Sequence, residues 1–295
     1  MALPSWLTPP LLARLDALSL SIRAVRAGAH LGGRFAVNRR GSSVEFAEHA
    51  PYHPGDDIRA IDWNLYARLD KLFIKTYREE IELSVEVIVD ATRSMALPSP
   101  AKFARACAAA VCLGYVALGD RHRVRVSWMQ PGPIAASAWA RKRSDLIRLA
   151  EFTEGHAAAG HTEPDEWIPR AAAQLRWRGG QAILITDGMV RPARLFRALH
   201  LLRLRHMDVK LLQVLTTQEL HPAGLTRGSW LVDAETGMTH QLGYSPKELE
   251  QAVLEHNEQL ARFCKREGMA FARHVIEEPL PRLLFTTLPQ RHFLE

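Results

Sequence analysis

Val87-Ile88-Val89-Asp90-Ala91-Thr92-Arg93-Ser94-Met95 is the stretch that decides how this chain is read. An apolar run ends in an aspartate, and two hydroxyl side chains follow at once, two and four positions on. A carboxylate and two hydroxyls on one tight strand-to-helix loop converge hard oxygen ligands of the kind a Mg2+-sized cation prefers. One such loop cannot complete an octahedral shell, so further oxygens must come from elsewhere in the chain.

The surroundings of that loop predict the architecture. From Glu82 onward strands alternate with helices: residues 83–89 read as a strand, and 101–118 as a helix with Phe103, Cys107, Val111 and Leu118 on one side. Residues 124–129 read as the next strand, with 134–139 as a short partner at the sheet edge. Residues 141–151 and 165–178 read as helices, the second closed by Gly179-Gly180. Residues 182–186 form a buried strand ending in Asp187-Gly188, and the helix 192–205 opens with a proline. Residues 209–215 follow as a strand, and 230–241 as a small hairpin around Glu235-Thr236-Gly237. A capping box at Ser245-Pro246-Lys247-Glu248 opens a helix that stops at Gly268, and 270–275 is the last strand.

Such alternation predicts an α/β fold, a doubly wound, mostly parallel sheet with helices on both faces. Ligands bind such sheets beyond the carboxyl ends of the strands, where the strand order reverses. With 83–89 as the first strand and 182–186 as the fourth, Asp90 and Asp187 are expected side by side. A hydroxyl from Gly160-His161-Thr162, on the loop before the helix at Asp165, joins them. The candidate metal set is therefore Asp90, Thr92, Ser94, Thr162 and Asp187. Each has a structural alternative, since the aspartates can serve helix N-termini and the hydroxyls can be caps. Taken singly, capping explains each residue; taken jointly at the switch point, a metal site explains them better.

Upstream, residues 11–29 read as an amphipathic helix ending near Gly28, with Gly32-Gly33 as a break. Residues 34–80 form a block of loops and hairpins, with turn chemistry at Pro54-Gly55-Asp56-Asp57 and strand alternation over 71–77. The expected division is a segment 1–81 packed on a main domain 82–295. Asp56, Asp57, Asp62, Glu79 and Glu80 interleave with Arg59, Arg68, Lys75 and Arg78. A salt-bridge lattice fixing an irregular segment accounts for this pattern better than a catalytic carboxylate cluster.

Composition narrows the function classes. With 295 residues and 47% hydrophobic content, the chain can bury the core of one large domain with an appendage. The longest uncharged apolar run, 106–119, is short of the roughly 20 residues a membrane span needs. Arg14, Asp16 and Arg23 interrupt the N-terminal apolar stretch, so no signal peptide and a cytoplasmic location are expected. Cys107, Cys112 and Cys264 are expected as reduced thiols with no disulfide or zinc motif. The net charge of +6 is spread over arginines at 121–125, 141–148 and 191–205. The last group lies on a helix that buries Leu195, Phe196, Leu199 and Leu202, and no nucleic-acid module accompanies it, so no nucleic-acid partner is expected.

Asp90-Ala91-Thr92-Arg93-Ser94, Gly160-His161-Thr162 and Leu184-Ile185-Thr186-Asp187-Gly188 together resemble the metal-ion-dependent adhesion site, or MIDAS, of the von Willebrand factor A domain, over about residues 82–290. The upstream block is similar to the signature of the bacterial domain-of-unknown-function 58 family (DUF58). It comprises Gly41 to Phe46, Tyr52-His53-Pro54-Gly55-Asp56-Asp57-Ile58-Arg59, Ile61-Asp62-Trp63 and Ala67-Arg68. The resemblance implies Mg2+, or Mn2+ or Ca2+, on Asp90, Ser94, Thr162 and Asp187, with Thr92 supporting. It also implies a MoxR-type AAA+ ATPase and a client protein as partners, in the assembly or maturation of other proteins. Two departures stand out: Thr92 replaces the first motif serine and is stiffer at χ1, and the N-terminal membrane spans of many relatives are absent, which leads us to expect a soluble protein.

Three functions compete on this reading. A non-enzymatic adaptor leads, with a metal-dependent hydrolase or nuclease using Asp56, Asp57 or Asp62 as base, and a structural module with a degenerate metal site, as alternatives. Asp56, Asp57, Arg59, Asp62 and Trp63 are read as residues for partner docking or bracing.

Overall fold

The computed structural model of the chain describes residues 4–22, 44–54, 58–79, 82–222, 228–232, 237–241, 243 and 245–295. Two compact units emerge, Met1–Ala36 with Leu83–Glu295, and Val37–Glu82. The first begins with the helix Pro9–Leu15 (α1), opened by prolines whose fixed φ suits a first turn. It is shorter than the helix 11–29 expected from the sequence. After Asp16 the chain turns extended, because Ser19 and Glu295 exchange backbone hydrogen bonds and Ser21 N–H donates to the Phe293 carbonyl. The buried Lys210 ammonium fastens the same junction by donating to the carbonyls of Ser21 and Phe293. Residues 23–29 of the expected helix lie outside the described residues.

The smaller unit pairs Val44–Pro51 (β1) with Phe73–Glu79 (β2) in an antiparallel ladder, with an irregularity between Phe46 and Glu48. The helix Trp63–Leu69 (α2) lies between them in sequence. The hairpin agrees with the reading of this block, and its second strand sits two residues beyond the expected 71–77.

The larger unit is built on the strand Ser84–Asp90 (β3), every residue of which from Val85 on is buried. Its β-branched residues Val85 and Val87-Ile88-Val89 suit a parallel strand covered on both faces, and the buried Glu86 among them is paired with Arg125. Alternation sends Val85, Val87 and Val89 into one hydrophobic cluster and Ile88 into a second. The helix Ala101–Gly119 (α3) covers the first face; it is long and apolar enough to cross a membrane, yet it is buried among core side chains. Arg123–Met129 (β4) and the short antiparallel edge Ala135–Ala136 (β5) follow, then the helices Leu146–Glu154 (α4) and Pro164–Gln174 (α5). Next come the strand Gln181–Thr186 (β6), the helix Pro192–Leu204 (α6), the strand Asp208–Leu215 (β7) and the turn of helix Thr217–Leu220 (α7). A small hairpin of Trp230–Val232 (β8) and Thr239–Gln241 (β9) precedes Pro246–Arg266 (α8) and Ala270–Val275 (β10).

The sheet order is β10-β7-β6-β3-β4-β5, and all pairs but the edge pair β4-β5 are parallel. This is the doubly wound α/β fold expected from the sequence, with the strand order reversing between β3 and β6. Helices α5, α6 and α8 contribute Trp167, Leu195, Leu199 and Leu260 to the second cluster, so both faces are covered. The three cysteines are buried and free, and burial pushes each thiol up to about 12.

One expected boundary moves for a definable reason. Helix α5 ends near Gln174, not at Arg178, because Arg176 adopts φ 54 and Trp177 N–H closes the turn onto Ala172, burying its indole. The glycines behind it serve the entry to β6 instead of capping α5. At Gly180, φ is +83, and a Cβ would stand 2.2 Å from the Ser84 carbonyl oxygen. Gly180→Ala therefore combines left-handed strain with a backbone clash, and we expect it to cost roughly 2–5 kcal/mol in urea unfolding.

Candidate metal centre

The end of β3 fixes the site. Val89 pairs with Ile185 across the parallel ladder, so Asp90 and Thr186 fall opposite one another at the carboxyl ends of adjacent strands. Thr186 Oγ1 donates to Asp90 Oδ2 at 2.6 Å. The other carboxylate oxygen, Oδ1, accepts from Thr92 N–H at 3.0 Å and from Thr92 Oγ1 at 2.7 Å. Thr92 flanks the short helical turn Arg93–Ala96 but makes no side-chain capping bond. Its hydroxyl instead lies 3.1 Å from Ser94 Oγ. Asp187 likewise does not cap α6, whose N-cap is Arg191; Asp187 Oδ1 accepts from Met189 N–H at 3.0 Å.

Thr162 reaches the same end of the sheet through backbone hydrogen bonds. Arg93 N–H donates to the Gly160 carbonyl at 2.8 Å, and Ala159 N–H to the Ala91 carbonyl at 2.9 Å. These two bonds stitch the loop before α5 onto the loop after β3. Gly160 has φ +73, and a Cβ there would stand 2.6 Å from the Pro131 ring, so glycine permits the close approach. The Thr162 side chain is buried.

Two residues that the sequence reading missed complete the surroundings. Lys102, fully buried on the first turn of α3, donates from Nζ to Asp187 Oδ2 at 3.0 Å and to Glu219 Oε1 at 2.6 Å. Glu219 is held in turn by the Thr216 capping box, where its Oε2 accepts from Thr216 N–H at 2.8 Å. A signal for Lys102 existed, since a cation in a helix's first turn opposes the macrodipole and calls for an anionic partner. The Asp187 backbone is also secured: Gln213 Nε2 donates to its carbonyl at 2.9 Å and itself meets Asn257 Oδ1 at 2.7 Å.

Charge in this crevice is poorly solvated. Burial, then the neighbouring Asp187 carboxylate, push Asp90 up to about 6, against the hydrogen bonds from Thr186 and Thr92 that favour its charged form. Burial alone lowers the Lys102 ammonium, but Asp187 and Glu219 outweigh it, and the group is held above its ordinary value. The residues present fit a hard divalent ion. The carboxylates of Asp90 and Asp187 and the hydroxyls of Ser94 and Thr162 are hard oxygen donors of the kind such an ion takes, and Thr92 joins Asp90 to Ser94 by hydrogen bonds. Among the described residues no group of three or more His, Cys, Asp or Glu side chains is placed to hold a metal, in this crevice or outside it, so the candidate set depends on its hydroxyls.

The other singled-out residues belong to the smaller unit. Asp62 is an N-cap: its Oδ1 accepts from Asn64 and Leu65 N–H at 3.0 and 3.2 Å, and its Oδ2 meets His49 Nε2 at 2.9 Å. Arg59 and Trp63 are exposed, and the Trp63 and Tyr66 rings meet edge to face. Asp56 and Asp57 lie outside the described residues.

Strand order, with acids and hydroxyls at the switch point, gives a doubly wound α/β domain that resembles the von Willebrand factor A type. The chain belongs to the family described as "Protein of unknown function DUF58", whose profile matches residues 48–259. It is 25% identical over 278 residues to uncharacterized protein Rv1480 of Mycobacterium tuberculosis, an alignment covering 88% of this chain and 83% of that protein. Uncharacterized protein Mb1516 of Mycobacterium bovis matches to the same extent, at 25% identity over 278 residues. Among solved structures, BatB from Bacteroides thetaiotaomicron is similar at 17% identity and a TM-score of 0.40, covering 65% of this chain and 90% of BatB. A von Willebrand factor type A protein from Catenulispora acidiphila is similar at 17% identity and a TM-score of 0.34, covering 64% and 43%.

The raised Asp90 gives a pH signature. The folded state binds this proton more tightly than the unfolded state, so the contribution is full below about pH 4 and is lost as pH climbs through about 6. In a metal-free buffer, the stability difference between the wild type and Asp90→Asn should change by on the order of 2–3 kcal/mol across that window. A difference independent of pH contradicts the assignment.

Proposed function

We propose that this protein is a non-enzymatic, metal-dependent interaction module, an adaptor or co-chaperone for a MoxR-type AAA+ ATPase in the assembly or maturation of other proteins. The observation that supports it best is the hydroxyl pair of Thr92 and Ser94 at 3.1 Å, set beside Asp90 at a sheet switch point. In this reading Asp90, Ser94, Thr162 and Asp187 hold Mg2+ or a related ion, directly or through water, and Thr92 supports the set. The ion supplies an electropositive coordination position suited to a partner's carboxylate. The methyl group of Thr92 is compatible with this arrangement, since its hydroxyl makes both the Asp90 and the Ser94 contacts. The choice of an ATPase and its client as partners rests on the resemblance in the sequence.

One observation favours a metal-free module instead. Lys102 already offers Asp187 a positive partner inside the fold. The two readings separate in a capture experiment with the purified MoxR-type ATPase of the same organism. The adaptor reading predicts stronger capture in Mg2+ than in a chelator, with the difference abolished in Ser94→Ala. Equal capture in Mg2+, in chelator and by Ser94→Ala selects the metal-free module. No capture by the wild type under any condition removes this ATPase as the partner.

A further inference from the structure

Lys102 stands where a helix least welcomes it, buried in the first turn of α3, and its ammonium ends against the proposed metal set. Its partners, Asp187 at 3.0 Å and Glu219 at 2.6 Å, come from the loop after β6 and from α7, while Asp90 comes from β3. Lys102 is therefore shared between two carboxylates, and that of Asp90 lies beside Asp187. We propose that Lys102 is an internal counter-cation that neutralises Asp187 when no metal is bound and thereby holds the crevice's affinity for divalent ions low. The inference rests on the metal reading of the site and adds a residue that the motif does not contain.

The physical argument is one of competing cations. A divalent ion entering the set draws on the negative charge of Asp90 and Asp187. Lys102 already donates to Asp187 Oδ2 and repels the incoming ion at short range in a water-poor setting, where charges interact strongly. Glu219 works against that repulsion: it gives the ammonium a second anion, so Lys102 need not rely on Asp187 alone. A low affinity set in this way makes occupancy respond to whatever else coordinates the ion, so a partner's carboxylate and the ion favour one another's binding. The competing explanation is that Lys102 is only a strut joining α3 to two loops. The two differ in sign. Removing a strut loosens the site and weakens ion binding, whereas removing a counter-cation tightens it.

The test is calorimetric titration of Mn2+ into the full chain as wild type, Lys102→Met and Glu219→Gln. Methionine keeps the length and packing of the lysine stem without its charge. The expected result is weak binding by the wild type, at least ten-fold tighter binding by Lys102→Met, and several-fold weaker binding by Glu219→Gln. If the wild type does not bind but Lys102→Met does, the counter-cation role stands in its strongest form. If the wild type binds and Lys102→Met binds equally or more weakly, Lys102 is a strut and the metal reading survives. If neither binds, the metal reading fails and this inference fails with it. Should Lys102→Met not fold, Lys102→Gln replaces it with the same expected sign: Mn2+ affinity equal to or weaker than that of the wild type overturns the proposal.

Discussion

Asp90 and Asp187 are forced together by the sheet. Asp90 ends β3 and Asp187 follows β6, the two strands are hydrogen-bonded neighbours, and their helices leave on opposite faces, so both carboxylates emerge into one crevice with little water. Neither side chain is spent on capping a helix. Every other feature of the site answers the same problem of uncompensated negative charge. Thr92 and Thr186 donate to Asp90, Met189 N–H donates to one oxygen of Asp187, and Lys102 holds the other. The remaining energy cost is visible in the upward displacement of Asp90. A crevice with this composition is a receptor for positive charge, whether that charge arrives as an ion or is built in.

Most of the fold was legible because its period is simple. Buried parallel strands are short apolar runs, and the helices between them carry prolines and capping boxes at their starts, so element order and the switch point followed from the sequence. Boundaries were less legible where tertiary pairing decided them. Leu20 bridges to Leu294 across the whole length of the chain, which ends α1 early, and nothing local announces that pairing. Trp177 turns inward and ends α5 before the glycines that looked like its cap.

At the site, the same division holds. The oxygen ligands sit in local motifs at strand ends, and chain order alone was enough to gather them. Lys102 and Glu219 lie 117 positions apart and meet only because α3 packs over the end of β7. The capping box at Thr216 is written in the sequence, but that its glutamate serves a lysine on another helix is not. Asp62 shows the opposite outcome for a singled-out acid: the structure gives it an N-cap and a histidine partner within its own small unit, an adequate structural occupation for the residue.

The most direct measurement of the central claim is anomalous diffraction from crystals of the full chain grown with Mn2+. The account predicts one anomalous peak in this crevice, bonded to Ser94 Oγ at a metal–oxygen distance of about 2.1–2.2 Å, with the Asp90 and Asp187 carboxylates beside it. Ordered crystals in saturating Mn2+ with no anomalous density there, and the Lys102 ammonium still on Asp187, contradict it.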